Sequence, residues 1–217
     1  MNHSFKNQQG KPILLSMVTR IQDNKAYLGD VDGLIGDGDH GMNMNKGFTL
    51  FEKRFGETDF SFSDGLNDLG MILLNEIGGS MGPIYGTILM EMSAAIEDAG
   101  SAEIDLPAFA SALHAGLEGL YGIVDARVGD KTLVDTLAPA AASLQKDAEA
   151  GTDFAAALAN MKSAAEAGRD STKDLTAKYG RSSRLGERSR GVLDAGSCSC
   201  CIILEAMADG ILTLLDA

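Results

Sequence analysis

Between Gly29 and Gly41 the chain reads G-D-V-D-G-L-I-G-D-G-D-H-G, which sets Asp32, Asp37 and Asp39 among glycines. Carboxylates so spaced cannot pack into a core, and brought together they repel unless a cation sits among them. Magnesium suits such a group. It is a hard ion that takes oxygen ligands and is usually shared between a few carboxylates and substrate phosphates, and the glycines let the backbone turn until Asp32, Asp37 and Asp39 converge. The plainer alternative is a solvated acidic turn. Two motifs that the letters mimic do not fit. Gly36 to Gly41 spells G-x-G-x-x-G, but no Val/Ile-rich strand precedes it, and its aspartates would face the pyrophosphate of a dinucleotide. An EF-hand beginning at Asp30 would need a glutamate where Gly41 stands.

Phosphate chemistry would need donors as well as a cation. Helix N-termini expose unpaired N–H groups at the positive end of the macrodipole. Three glycine-bearing loops feed expected helix starts: Asp39-His40-Gly41 before Met42, Gly78-Gly79-Ser80-Met81-Gly82 before Pro83, and Asp194-Ala195-Gly196 before Ser197. Gathered at one end of a helical bundle, they would cradle a polyphosphate whose cation the aspartates hold. There is no Walker sequence, because Gly196 is followed by Ser197 with no lysine.

The elements that must position these loops read as helices throughout, with apolar residues recurring at three and four. A first helix is expected from Pro12 to about Gly29, a second from Met42 to Arg54, a third from about Ser63, and a fourth from Pro83. Gly100 to Asp105 reads as a loop. A fifth helix carries Phe109 to Leu120, a sixth Leu133 to Leu144, and an Ala-rich seventh Asp153 to Ala167 with an extension toward Lys178. From Tyr179 to Gly196 the chain is polar, basic and glycine-spaced, a loop whose length marks it as either functional or disordered. The last helix, from Ser197, is apolar nearly all round and should be central. The expectation is therefore all-α, about eight helices with no strand, in a single domain spanning 1–217.

With 31 acidic and 18 basic residues the net charge is -13, which disfavours nucleic acid and anionic membrane as partners and leaves an anionic ligand to metal and backbone donors. No run of eighteen apolar residues occurs, and the opening MNHSFKNQQGK has no signal-peptide core, so a cytoplasmic location is expected. Cys198, Cys200 and Cys201 form one cluster with no second Cys or His group to complete a zinc site, and read as helix packing.

Five blocks, I-G-D-G-D-H-G-M-N-M-N-K-G-F, G-G-S-M-G-P-I-Y-G-T, G-D-K-T, G-R-S-S-R-L-G-E-R-S and D-A-G-S, stand in an order that resembles the nucleotide-binding L subunit, or C-terminal kinase domain, of dihydroxyacetone kinases. The resemblance covers almost the whole chain. It implies an eight-helix antiparallel barrel with the nucleotide at one rim and two magnesium ions on Asp32, Asp37 and Asp39. It implies that His40, Asn43, Ser80 and Met81 contact phosphate or nucleotide, that Leu133 lies against adenine, that Arg181 contacts the nucleotide, and that Asp194, Ala195 and Gly196 close the site. By the same resemblance the chain is a phosphotransferase that uses Mg-ATP or Mg-ADP with a separate K-type subunit that binds dihydroxyacetone or a related ketose. A phosphotransferase-system protein is a further partner if ADP is rephosphorylated in place, and assembly as a homodimer is left open. The alternative is a non-catalytic module whose nucleotide occupancy alters a regulatory surface. Three departures stand out: Met81 where a serine is common, D-A-G for the more usual D-P-G, and a short segment at Asp125-Ala126-Arg127-Val128.

Overall fold

The computed structural model describes residues 3–215. Its helices are α1 (Lys11–Asp23), α2 (Lys25–Ile35), α3 (His40–Phe55), α4 (Phe62–Glu76), α5 (Met81–Ala99), α6 (Leu106–Tyr121), α7 (Val134–Ala150), α8 (Phe154–Ser171) and α9 (Ala195–Leu215). The boundaries follow local chemistry. Ser61, Asp105 and Asp153 accept backbone N–H groups at the starts of α4, α6 and α8. Left-handed Gly100 and Gly151 end α5 and α7.

Around the barrel the neighbours run α1, α3, α4, α5, α6, α7, α8, α9 and back to α1, a closed ring of eight, with α2 packed outside the ring on α3 and α9. The first residues of α3, α5, α7 and α9 (His40, Met81, Val134 and Ala195) line one cavity, so these four helices all start at one rim. The core is continuous, and a chain of aromatic contacts from Phe5 through Phe62 and Phe109 to Phe154, at 5.5, 6.5 and 6.1 Å, ties the short strand β1 (Ser4–Lys6), α4, α6 and α8 together. The all-α barrel expected from the sequence is the one observed.

Several local expectations are corrected. The single helix expected from Pro12 to Gly29 is two, broken at Asn24, where the side chain turns back onto the carbonyl of Arg20. The loop expected at Gly100 to Asp105 holds a strand, β2 (Glu103–Asp105), paired antiparallel with β1 (Ser4–Lys6), and these short strands replace the expectation of none. α8 stops at Ser171, short of Lys178, because Thr172 turns its hydroxyl onto the carbonyl of Arg169 and starts a 3-10 turn. α9 has the length and a mean hydropathy, 1.8, of a membrane span, yet it is mostly buried against α1, α7 and α8. Its cysteines are free and buried, as helix packing requires.

Gly41 sets the distance between α2 and α3. A Cβ there would lie 2.0 Å from the carbonyl oxygen of Lys25 and 2.7 Å from the nitrogen of Gly29, both rigid backbone. Gly41→Ala should therefore push α2 off α3 at a cost of about 2 kcal/mol, read in calorimetry as a fall of roughly 5 °C in melting temperature. An unchanged melting temperature would mean that the two helices are free to slide.

Candidate functional site

α2 continues to Ile35, so Asp32 lies on its last turn, while Asp37 and Asp39 belong to the short link into α3. Gly38 makes that link possible: its φ of +78° is a conformation that only glycine adopts freely. The link folds back so that the N–H of His40 donates to Asp32 Oδ2 at 3.3 Å. One oxygen from each of Asp32, Asp37 and Asp39 then lies within 4.8 Å of the others. Oxygens around a six-coordinate magnesium stand about 3 to 4 Å apart, so a small inward shift would let all three share an ion. Burial, and then the neighbouring Asp37 charge, push the Asp39 carboxyl above its ordinary range. The Arg181 guanidinium pairs with Asp37, so a cation already stands at the edge of the cluster.

The aspartates form one wall of a cavity of about 380 Å³ at the rim where α3, α5, α7 and α9 begin. That volume lies within the range of small-ligand sites. His40, Ser80, Met81, Leu133, Arg181, Asp194, Ala195 and Gly196 line it together with Asp32, Asp37 and Asp39. Asn43 does not. It sits one turn beyond Asp39 on α3, where its backbone N–H donates to the Asp39 carbonyl at 2.9 Å and its side chain helps to lower the pKa of the Asp39 carboxyl. The helix starts differ slightly from expectation: α3 begins at His40, α5 at Met81 and α9 at Ala195. The start of α7 beside Leu133 is a fourth, unforeseen donor end on the same rim.

The lining is part apolar. Val124, Ala126, Ile84, Met81 and Leu133 supply a greasy slot to the same cavity, and Tyr179, 42% exposed, lines it too. Arg127 pins this slot, stacking 4.2 Å from the Tyr121 ring and donating to the carbonyls of Val124 and Ala126. Such a slot suits a flat, weakly polar ring.

The G-D-K-T turn is a clamp. Buried Asp135 accepts the N–H groups of Gly129 and Thr132 at 2.5 and 2.8 Å, and Lys131, at φ 60°, is 1% exposed. Its ammonium donates to the carbonyl of Val192 at 2.6 Å and to that of Thr172, and burial lowers its pKa. Lys178 pairs with Asp130 at 2.5 Å. The basic segment after Tyr179, part of which forms a 3-10 stretch at Arg181–Ser189, is thereby stitched to the barrel on either side of Arg181. Lys131 lay in a block quoted from the sequence but carried no expected role. Val124 gave no sequence signal, and Ala126 stood out only as part of the short segment at Asp125-Ala126-Arg127-Val128.

His40 is 7% exposed, and burial pushes its pKa down to about 4 despite the Asp32 charge, so at neutral pH the ring is uncharged. Asp194 accepts the N–H of Ser197 at 2.8 Å at the start of α9, and burial pushes its carboxyl up to about 6. Because that value lies above the ordinary 3.8, folding favours the protonated acid, and the benefit is lost as pH rises through about 6. Asp194→Asn keeps the acceptor and behaves as permanently neutral. It should therefore melt higher than the parent above pH 6, with the gain fading toward pH 4. A lower melting temperature at pH 7.5 would show that the charge itself holds the rim together.

Residues 34–209 match the family model described as DAK2 domain. The chain is 38% identical over 189 residues to the PEP-dependent dihydroxyacetone kinase 1, ADP-binding subunit DhaL, of Listeria innocua, covering 87% of this chain and 88% of that one. It is 34% identical to the PEP-dependent dihydroxyacetone kinase, ADP-binding subunit DhaL, of Escherichia coli, covering 90% and 94%. The L-erythrulose 1-kinase of Mycolicibacterium smegmatis is 31% identical across 86% of this chain but only 33% of its own length. Among solved structures, the dihydroxyacetone kinase from C. freundii in complex with AMP-PNP and Mg2+ superposes with a TM-score of 0.68 at 20% identity, covering 96% of this chain and 35% of that one. At that identity the likeness speaks for the fold.

Proposed function

The chain belongs to the DAK2 domain family, and on that footing we propose that it is the nucleotide-binding, phosphoryl-transferring subunit of a kinase for dihydroxyacetone or a related short-chain ketose. The observation that carries the reading is the convergence of three carboxylates and four helix starts on one cavity, in a chain that aligns nearly end to end with ADP-binding subunits. The acceptor hydroxyl comes from a separate K-type substrate subunit docked over the rim, since relatives of this length are themselves named as subunits. The work is cytoplasmic.

In this reading Asp32, Asp37 and Asp39 hold magnesium, in two ions, and the greasy slot beside Leu133 takes the base. Phosphoryl transfer asks the protein for positioning and charge stabilisation. Bound magnesium supplies charge neutralisation across the phosphate oxygens. Ser80, Met81, Ala195 and Gly196 offer backbone at helix starts for the phosphates, and neutral His40 adds a hydrogen bond without adding charge. Arg181 orients the terminal phosphoryl group, leaving Asp37 to the metal.

The relatives are named as ADP-binding and as dependent on PEP or the PTS, which favours ADP as a resident nucleotide rephosphorylated in place by a phosphotransferase-system protein. A nucleotide off-rate slower than turnover with such a donor fits this version; rapid exchange of ATP contradicts it. The kinase reading is tested by mixing the chain, a K-type subunit, Mg-nucleotide, a phosphoryl donor and a short ketose. Phosphorylated ketose is the expected product. No transfer, with Mg-ADP still bound, would make the chain a nucleotide-dependent regulatory module. Met81→Ser adds a hydroxyl at the first residue of α5 and should tighten Mg-ADP by a few-fold, the effect of about one hydrogen bond.

A further inference from the structure

Building on the kinase reading, we infer that Ser199 and Tyr85 are positioning residues that fix the tautomer of His40, so that it presents Nδ1–H to the phosphate tail. His40 Nε2 lies 2.7 Å from Ser199 Oγ, and Ser199 Oγ lies 2.6 Å from the Tyr85 hydroxyl. The three side chains come from α3, α9 and α5 and are all buried. Nδ1 has no partner among the described residues, while no buried side-chain nitrogen or oxygen there lacks one. Nδ1 therefore reaches open space, and the space that His40 lines is the cavity.

Each short contact needs one proton between its atoms. A chain that runs Tyr85 O–H to Ser199 Oγ, then Ser199 O–H to His40 Nε2, supplies both and leaves the imidazole proton on Nδ1. The Gly196 carbonyl, 3.1 Å from either hydroxyl, is the longer and weaker acceptor. If Ser199 instead donates to Gly196, His40 must carry its proton on Nε2, and a bare lone pair on Nδ1 would face the phosphates. A nucleotide tail repels that lone pair and attracts the N–H, so an anionic ligand selects the chain that runs toward the cavity. No change of net charge is involved. Ser199 has no other visible task, and if it is removed the Tyr85 hydroxyl still has the Gly196 carbonyl while the buried His40 Nε2 loses its partner, so the fold should persist at a modest cost in stability.

The test is long-range 1H–15N spectroscopy on the full chain labelled in histidine, with the His40 signals assigned by their loss in His40→Gln. With Mg-ADP, wild type should show the Nδ1–H tautomer. Ser199→Ala should lose that preference and bind Mg-ADP about 10-fold more weakly, the worth of one charge-assisted hydrogen bond. Its adenosine affinity should not move and its melting temperature should fall by only a few degrees, and Ser199→Thr should keep both tautomer and affinity. Tyr85→Phe, which leaves the Ser199 contact in place, should weaken Mg-ADP by a smaller factor, about 3-fold. An Nε2–H tautomer in the ADP-bound wild type overturns the inference, as does wild-type tautomer and affinity in Ser199→Ala. A wild type indifferent to Mg-ADP counts against the kinase reading instead, and the tautomer of the nucleotide-free chain then decides the relay by the same criterion.

Discussion

Asp37→Ala should weaken ADP binding in magnesium at least 100-fold, while binding measured in excess chelator should change little. Asp37 is the most exposed of the three clustered carboxylates, and its side chain makes no structural contact except the ion pair with Arg181. Its removal therefore costs the fold little, and the loss falls on the metal. A hard cation with two carboxylates in place of three loses a charged ligand, and the phosphates lose the charge that neutralises them. At about 1.4 kcal/mol per tenfold, the expected loss is near 3 kcal/mol. Titration calorimetry on the parent and the variant, each with and without magnesium, reads it directly. Equal losses in both conditions would mean that Asp37 acts through structure and not through metal.

Arg181→Ala should lower phosphoryl transfer by about 1,000-fold while lowering Mg-ADP affinity only several-fold, a split expected of a group that acts on charge developing in the transition state. In the same variant, divalent metal added without nucleotide should bind more tightly than to the parent. Arg181 occupies Asp37 in the structure, and without it the three carboxylates face each other with no cation among them. The two opposite signs make the prediction hard to mimic by loss of folding. Weaker metal binding together with a transfer rate within tenfold of the parent would assign Arg181 to the surface of the basic segment and nothing more.

How far the sequence carried depended on whether a feature was local. The barrel was legible because apolar residues such as Leu66, Leu69, Leu73 and Ile77 repeat at helical spacing, and all four are buried. The aspartates were legible because glycines and carboxylates have few other reasons to alternate. The break between α1 and α2 was not, since Asn24 carries no proline or glycine beside it and the apolar stripe runs on through Leu28 and Val31. Asp32 consequently stands on a helix, not in a loop. Asn43 was expected to face phosphate, but one helical turn from Asp39 places it against that carboxylate. Contacts that join distant segments could not be read at all. Tyr85, His40 and Ser199 meet only after three helices have docked, and the pairing of Arg181 with Asp37 spans more than half the chain.

The most direct measurement is electron paramagnetic resonance of Mn2+ titrated into the chain with and without ADP. Asp32, Asp37 and Asp39 acting with the helix starts at Met81 and Ala195 should hold Mn2+ tightly only when ADP is present, with phosphorus hyperfine coupling in the bound signal and its loss in Asp39→Ala. Free Mn2+ at all ADP concentrations, or bound Mn2+ with no phosphorus coupling, would separate the carboxylates from the phosphates and contradict the site.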